Sequence, residues 1–326
     1  MPNDAINSAV DLMVFHTARI AEGIHIFEFR RADGAALPAF TAGAHVTVRT
    51  PNGLLRKYSI CNDPSERDRY VIAVKREAGG RGGSISLIDN TKTGDQLLVS
   101  APVNNFQLPR RPDHFLFIAG GIGITPIMAM IRQLTSVGGK HFKLYYCVRS
   151  PAHAAFFEEL NAPGYKDKVL IHYDDGDPTQ SLDLRSILQE RKNREHLFCC
   201  GPRPLMQSVH DLTAHWGAFS VHFEAFSDAE THKLGDKPFT VKLARSGEVV
   251  EVLADKTILE ALRERGHNLP SSCETGTCGT CRSKLISGEV DHRDLFLTEQ
   301  QRADSIMICV SRARSNELVI DRAGLK

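Results

Sequence analysis

Three segments of different character follow one another in this 326-residue chain. They predict a multidomain protein: a small antiparallel β-barrel, a parallel α/β sheet, and a C-terminal segment built around a cysteine loop. Short alternating strands with turn residues between them fill residues 11–108. Apolar runs alternate with helix-like stretches over 112–226, the pattern of a parallel sheet buried on both faces. Cys273, Cys278 and Cys281 share one glycine-rich loop, and Cys309 follows after 27 intervening residues. The expected boundaries are 1–110, 111–227 and 238–326, with 228–237 as a polar linker.

In the first segment, strands are expected at 24–29, 44–49 and 70–75, and Pro51-Asn52-Gly53 marks a tight turn. Arg56-Lys57-Tyr58-Ser59 ends a strand, and Arg81-Gly82-Gly83-Ser84 opens a helix. An arginine, a hydroxyl and helix N–H groups are what a terminal phosphate needs, and Tyr58 can pack on a flat aromatic ring. On residue type alone, a strand Tyr is more often core and an Arg a solvated charge.

In the second segment, buried strands are expected at 115–119, 143–148, 168–173, 196–200 and 221–226, with a helix over 127–134. The first strand runs into Gly120-Gly121-Ile122-Gly123-Ile124-Thr125-Pro126 and then the helix. Strand, glycine turn and helix make a pyrophosphate cradle, with Thr125 as the expected cap and Pro126 in the first turn. The bland alternative is a tight turn whose glycines serve packing. A second turn, Cys200-Gly201-Pro202, follows a later strand. Ligands of open α/β sheets bind outside the carboxyl ends of the strands, so the two turns support each other.

In the third segment, two strands form a hairpin around Arg245-Ser246-Gly247. Thr257 and Glu260 make a capping box that opens a helix, and Gly266 closes it. The cysteine spacing C-x4-C-x2-C with a distant fourth cysteine is that of a plant-type [2Fe–2S] cluster. A four-thiolate zinc site is the alternative, but such sites pair two C-x2-C knuckles, whereas three of these cysteines share one loop. Gly276 and Gly279 remove bulk and allow positive φ where the backbone wraps the thiols.

Composition narrows the function classes. Hydrophobic residues are 42% and charged residues 24%, with a net charge of +1. That balance gives no field to attract nucleic acid or an anionic membrane. The N-terminus carries no export signal, and the longest uncharged run, 115–131, falls short of the ~20 apolar residues of a membrane span. A cytoplasmic protein is expected. Eight cysteines are too few for a disulfide scaffold and suggest metal or redox chemistry.

Taken in order, R-K-Y-S, G-R-G-G-S, G-G-I-G-I-T-P, C-C-G-P, H-F-E-A-F and C-E-T-G-T-C-G-T-C strongly resemble the phthalate dioxygenase reductase family over nearly the whole chain. These are flavin and iron–sulfur reductases, of the ferredoxin-NADP reductase superfamily, that serve Rieske-type aromatic-ring oxygenases. The resemblance implies an FMN-binding barrel, an NAD-binding α/β domain and a C-terminal β-grasp ferredoxin domain. It implies that Arg56, Tyr58 and Ser59 contact the flavin, with Ala73, Val74 and Lys75 alongside and Thr125 nearby. Arg81, Gly82, Gly83 and Ser84 would hold its phosphate, and Phe226 would screen the ring where nicotinamide docks. Gly120, Gly121, Gly123, Thr125, Pro126, Cys200, Gly201 and Pro202 would hold the dinucleotide, and Cys273, Cys278, Cys281 and Cys309 the cluster. Several relatives carry an acidic residue where this chain has Ser150 after Arg149; the overall resemblance still favours NADH.

The implied enzyme is an NADH-dependent oxidoreductase, a monomer that passes electrons to a Rieske-type terminal oxygenase for hydroxylation of an aromatic acid. No side chain is expected to act as acid, base or nucleophile, because the cofactors carry the chemistry. Asp174-Asp175 reads as a solvated turn. The rival readings are a reductase for an O-demethylase or another Rieske monooxygenase and, from a different class, a redox-sensing or zinc-binding module.

Overall fold

The computed structural model describes residues 9–109, 114–138, 141–217, 220–226 and 232–321. The chain forms two compact units, Met1–Glu224 and Ala225–Lys326. Residues 228–231 of the expected linker lie outside the described residues.

The first unit opens with strands β1 (Val10–Ala21), β2 (Ile24–Arg30), β3 (Ala44–Arg49), β4 (Leu55–Ser59) and β5 (Tyr70–Lys75), helix α1 (Gly83–Asp89), and strands β6 (Gln96–Val99) and β7 (Val103–Asn104). The sheet order is β4-β3-β6-β1-β2-β5, with β7 on β3. Just beyond β4, Ile60 bridges Ile72 and the Cys61 N–H bonds the Val71 carbonyl at 2.8 Å, which closes the sheet. Closure removes the exposed strand edges. The interior is filled from alternate positions, among them Val14, Phe27, Phe29, Val46, Val48 and Ile72. The turn expected at Pro51–Gly53 forms, with Gly53 at φ +81°.

The parallel sheet comprises β8 (His114–Gly120), β9 (His141–Val148), β10 (Val169–Tyr173), β11 (Glu195–Cys200) and β12 (Val221–Glu224), in the order β10-β9-β8-β11-β12. Its helices are α2 (Ile124–Val137), α3 (Phe157–Leu160), α4 (Leu184–Leu188) and α5 (Arg203–Leu212). The strand order reverses between β8 and β11, which opens a crevice at their carboxyl ends. Both turns singled out in the sequence lie there. The second is anchored to α5, which starts directly after Pro202.

Barrel and sheet share one hydrophobic core. Ala42, Cys61, Ala73 and Phe106 of the barrel segment join Phe117, Leu144 and Phe198 of the sheet, with Ile127, Met128, Met130 and Ile131 of α2 among them. A helix apolar on nearly every side is a buried helix. This explains why the two segments form one unit although their strand patterns differ.

The second unit contains β13 (Phe239–Leu243), β14 (Val249–Val252), α6 (Ile258–Glu264), β15 (Arg282–Ser287), β16 (Val290–Asp291), α7 (Glu299–Arg302), β17 (Ser305–Met307), β18 (Arg312–Ala313) and β19 (Glu317–Asp321). Its main sheet has the order β14-β13-β19-β15-β17, with β13 parallel to β19 and the other pairs antiparallel. This is the β-grasp arrangement, with a core of its own. The Thr257–Glu260 capping box is present in both directions, and Gly266 closes α6 at φ +86°.

Candidate flavin, nucleotide and thiol sites

The candidate flavin cradle lies where β4 meets the start of α1, with Gly83 against Arg56. The Arg56 Nη1 donates to the Leu55 carbonyl at 2.8 Å, while its Nη2 is buried without a partner. The Tyr58 hydroxyl is buried and unpartnered too, and burial pushes its phenol up to about 12. Gly83 opens α1 against the guanidinium: a Cβ there would stand 2.7 Å from Arg56 Nε. An orphaned guanidinium nitrogen costs about 1–3 kcal/mol when nothing accepts from it. Set beside a helix start, it fits an anion of phosphate type. The Ser84 Oγ accepts from the Glu77 N–H at 3.1 Å, which leaves its own proton to donate. Arg81 is exposed one residue before Gly82.

Strand alternation divides the residues of β5. Val74 packs into the barrel interior, Ala73 packs into the core shared with the sheet, and Lys75 is exposed and pairs with Glu77 at 3.3 Å. Only the backbone of Val74 is therefore available to a flavin.

The glycine turns explain each other. A Cβ on Gly123 would lie 2.2 Å from the Cys200 carbonyl oxygen, and one on Gly120 would lie 2.5 Å from Pro202 Cδ. One on Gly201 would approach Gly120 Cα to 2.9 Å. These three glycines are required because the two turns touch. Gly121 differs: it sits at φ +52° and faces open space. Thr125 does not cap the helix. The N-cap is Gly123, and the buried Thr125 hydroxyl donates back to the Ile122 carbonyl at 3.0 Å. A turn of 3-10 helix over Gly121–Gly123 starts the helix earlier than propensity suggests. Pro126 does lie in the first turn.

One residue escaped the sequence reading. Glu224 ends β12, and its Oε2 accepts from the Ser59 Oγ at 3.4 Å, so it ties the end of β4 to the carboxyl end of β12. Burial raises the Cys200 thiol well above its usual range, and the Glu224 charge adds to the effect. The available sign was a carboxylate inside the apolar run of H-F-E-A-F. Phe226, two residues further, is 48% exposed at the start of the second unit. Past the end of β9, the Ser150 hydroxyl bonds His153 Nδ1 at 2.8 Å. Asp174 accepts from the Gly176 N–H at 2.9 Å, the solvated turn expected there.

The thiol loop follows α6. The N–H groups of Thr275 and Thr277 each point at Cys273 Sγ at 3.4 Å, and the Cys273 N–H points at Cys278 Sγ at 3.5 Å. Gly276 (φ +76°) and Gly279 (φ +80°) meet both conditions for glycine: a Cβ would lie 2.7 Å from Val310 Cγ2 and 2.3 Å from Phe296 Cζ respectively. Glu274 also takes positive φ, held by Arg263 Nη1 at 2.8 Å and by the Ser271 hydroxyl at 2.5 Å. The thiols meet in two pairs. A hydrogen bond from Cys278 lowers Cys273 to about 4 and raises Cys278 in turn, while Cys281 raises Cys309. Among the described residues, no three His, Cys, Asp or Glu side chains close around a single ion. Two pairs of thiols suit two irons instead, and backbone N–H groups aimed at sulfur tune a cluster's potential.

Three domain families match the chain in sequence order. Residues 11–108 match the oxidoreductase FAD-binding domain family, 117–211 the oxidoreductase NAD-binding domain family, and 241–314 the 2Fe-2S iron–sulfur cluster binding domain family. The chain is 50% identical over 310 residues to phthalate dioxygenase reductase of Burkholderia cepacia, covering 95% of this chain and 96% of that one. It is 39% identical over 317 residues to vanillate O-demethylase oxidoreductase of Pseudomonas putida, covering 96% and 99%. A solved phthalate dioxygenase reductase, described as a modular structure for electron transfer from pyridine nucleotides to [2Fe–2S], superposes with a TM-score of 0.69 at 48% identity, covering 96% of this chain and 98% of that one. No helix among the described residues is long and apolar enough to cross a membrane.

Proposed function

This chain belongs to the phthalate dioxygenase reductase family of flavin and iron–sulfur oxidoreductases, and we propose that it draws electrons from NADH and delivers them through FMN and a [2Fe–2S] cluster to a Rieske-type terminal oxygenase acting on an aromatic acid. The observation that carries this reading is the presence, in one chain, of a cradle with an orphaned guanidinium nitrogen and a loop of three thiols that is met by a fourth, Cys309. A flavin, when bound, accepts hydride from reduced nicotinamide and releases its electrons singly to the cluster. Everything else is binding, orientation and exclusion of water by the protein.

Arg56, with Arg81, Gly82, Gly83 and Ser84 at the start of α1, holds one terminal phosphate. Tyr58, Ser59 and the backbone of Ala73–Lys75 line the ring, and Thr125 stands nearby. Phe226 shields the face where nicotinamide docks. Gly120–Pro126 and Cys200–Pro202 hold the dinucleotide, with Gly121 the point of close approach. Cys273, Cys278, Cys281 and Cys309 would hold the cluster. The higher identity to phthalate dioxygenase reductase, 50% against 39% for the vanillate O-demethylase reductase, favours a partner of the dioxygenase type over an O-demethylase. The family resemblance favours a monomer.

Cys309→Ser tests the relay. Cluster absorbance is expected to vanish while NADH-driven reduction of an artificial two-electron acceptor survives; loss of both together would overturn the modular reading. Flavin released by heat is expected to be FMN, although the matching family is described as FAD-binding, and released FAD would overturn that part.

A further inference from the structure

One carboxylate lies fully buried against the thiol loop. It belongs to Asp294, between β16 and α7. Its Oδ2 accepts the N–H groups of Phe296 at 3.2 Å and Leu297 at 2.8 Å. The Ser311 hydroxyl donates to its Oδ1 at 3.5 Å and itself accepts the Arg293 N–H at 3.3 Å. His292 Nδ1 stands 3.6 Å from Oδ1 and makes no hydrogen bond. The nearby guanidinium groups turn to other acceptors. Arg293 sends Nη1 and Nη2 to Asp236 at 2.8 and 2.6 Å, and Arg302 Nη2 donates to the Asp294 backbone carbonyl at 3.3 Å.

This carboxylate sits between the two parts of the thiol set. A Cβ on Gly276, between Cys273 and Cys278, would stand 3.0 Å from Asp294 Cα and 2.7 Å from Val310 Cγ2. The Leu295 N–H bonds the Gly276 carbonyl at 3.0 Å. Val310 and Ser311 directly follow Cys309. Asp294 therefore packs against the loop of three cysteines and bonds the segment that carries the fourth. The turn over 294–297 needs an acceptor for two N–H groups, and an asparagine oxygen would serve it equally well. It does not need a charge, and a buried charge is costly to keep. A negative charge held against a cluster opposes the arrival of an electron, and local charge is one of the factors that set a cluster's potential. Away from water that field is weakly screened.

We propose that Asp294 is a positioning residue for the cluster whose buried negative charge lowers the cluster's reduction potential. This deepens the relay proposed above and rests on a [2Fe–2S] cluster at the four cysteines. The test is a redox titration of full-length holoenzyme followed by electron paramagnetic resonance. Asp294→Asn keeps the acceptor and removes the charge. It is expected to retain wild-type iron per chain and the wild-type line shape. Its reduction equilibrium is expected to move about tenfold toward the reduced cluster, which is about 59 mV for one electron. In the cluster-free protein its amide exchange at Phe296 and Leu297 is expected to match the wild type. Ser311→Ala keeps the charge and removes one donor to it, so its equilibrium is expected to stay in place or move the opposite way. An unshifted equilibrium in Asp294→Asn overturns the proposal. So does an equal shift in Ser311→Ala, because hydrogen bonding and not charge would then set the potential. Loss of the cluster or faster exchange in Asp294→Asn overturns it too, since the carboxylate would then serve the fold alone. A wild-type chain that gives no signal of a reduced [2Fe–2S] cluster overturns the cluster reading itself, before any variant is compared.

Discussion

Arg56 carries the sharpest consequence at the scale of single residues. Its Nη2 is buried without an acceptor, and a Cβ on Gly83 would lie within 3 Å of its side chain. Arg56→Met removes a guanidinium whose buried Nη2 has no protein acceptor. The flavin-free protein is therefore expected to hold its stability or gain about 1 kcal/mol. Flavin retention should fall by about 1.5–3 kcal/mol, the worth of a charged hydrogen bond. Urea unfolding of both forms, with flavin counted per chain, checks the opposite signs; equal destabilisation of both would make Arg56 structural. Glu224 and Asp236 carry the opposite lesson. Neither is marked by a local motif, yet each joins segments far apart in the chain.

At the scale of elements, the edge pair β11 and β12 stores a pH dependence. The His222 ring stacks on Phe198 with centroids 4.4 Å apart, and its Nε2 lies 3.0 Å from His196 Nδ1. Burial, and secondly the neighbouring His196, lowers His222 to about 4 from an ordinary 6.5. The unfolded chain thus takes up a proton that the fold refuses. The stabilisation is fully present above pH 6.5 and is lost as pH falls towards 4. It amounts to about 2–3 kcal/mol at most. The urea midpoint is expected to drop between pH 7.5 and 5, and His222→Phe should flatten that drop; an unaltered slope would place the acid sensitivity elsewhere. Helix α2 is fastened on another side. Its Arg132 grips Glu159 and the Cys61 carbonyl just past the flavin strand. The element that starts the nucleotide turn is thereby tied to the barrel.

Across the whole molecule, the pattern of cores decides which parts fold alone. The second unit has a core of its own, so a fragment spanning 232–326 is expected to melt cooperatively and to take up a cluster on reconstitution. The barrel segment instead presents Ala42, Ala73 and Phe106 to α2 and the sheet. A fragment spanning 1–110 would expose that face and is expected to aggregate, whereas 1–226 should stay soluble and bind flavin. Light scattering and circular dichroism of the three fragments check this, and a well-folded 1–110 fragment would show that the shared core is dispensable.

The sequence by itself determined what is written locally. The cysteine loop, the capping box of α6, the glycine turn after β8 and most strands were legible because spacing, capping and turn chemistry act within a few residues. Thr125 shows the limit of that reading, since the helix start moved when a 3-10 turn intervened. Tertiary structure alone decided which glycines touch a neighbouring turn and which face open space. It also decided that barrel and sheet fuse through α2, and that Glu224 and Asp294 serve sites built by other segments. The reason is physical: periodicity records how a residue meets its near neighbours, while a hydrogen bond across 165 positions, such as Ser59 to Glu224, exists only once the chain has folded.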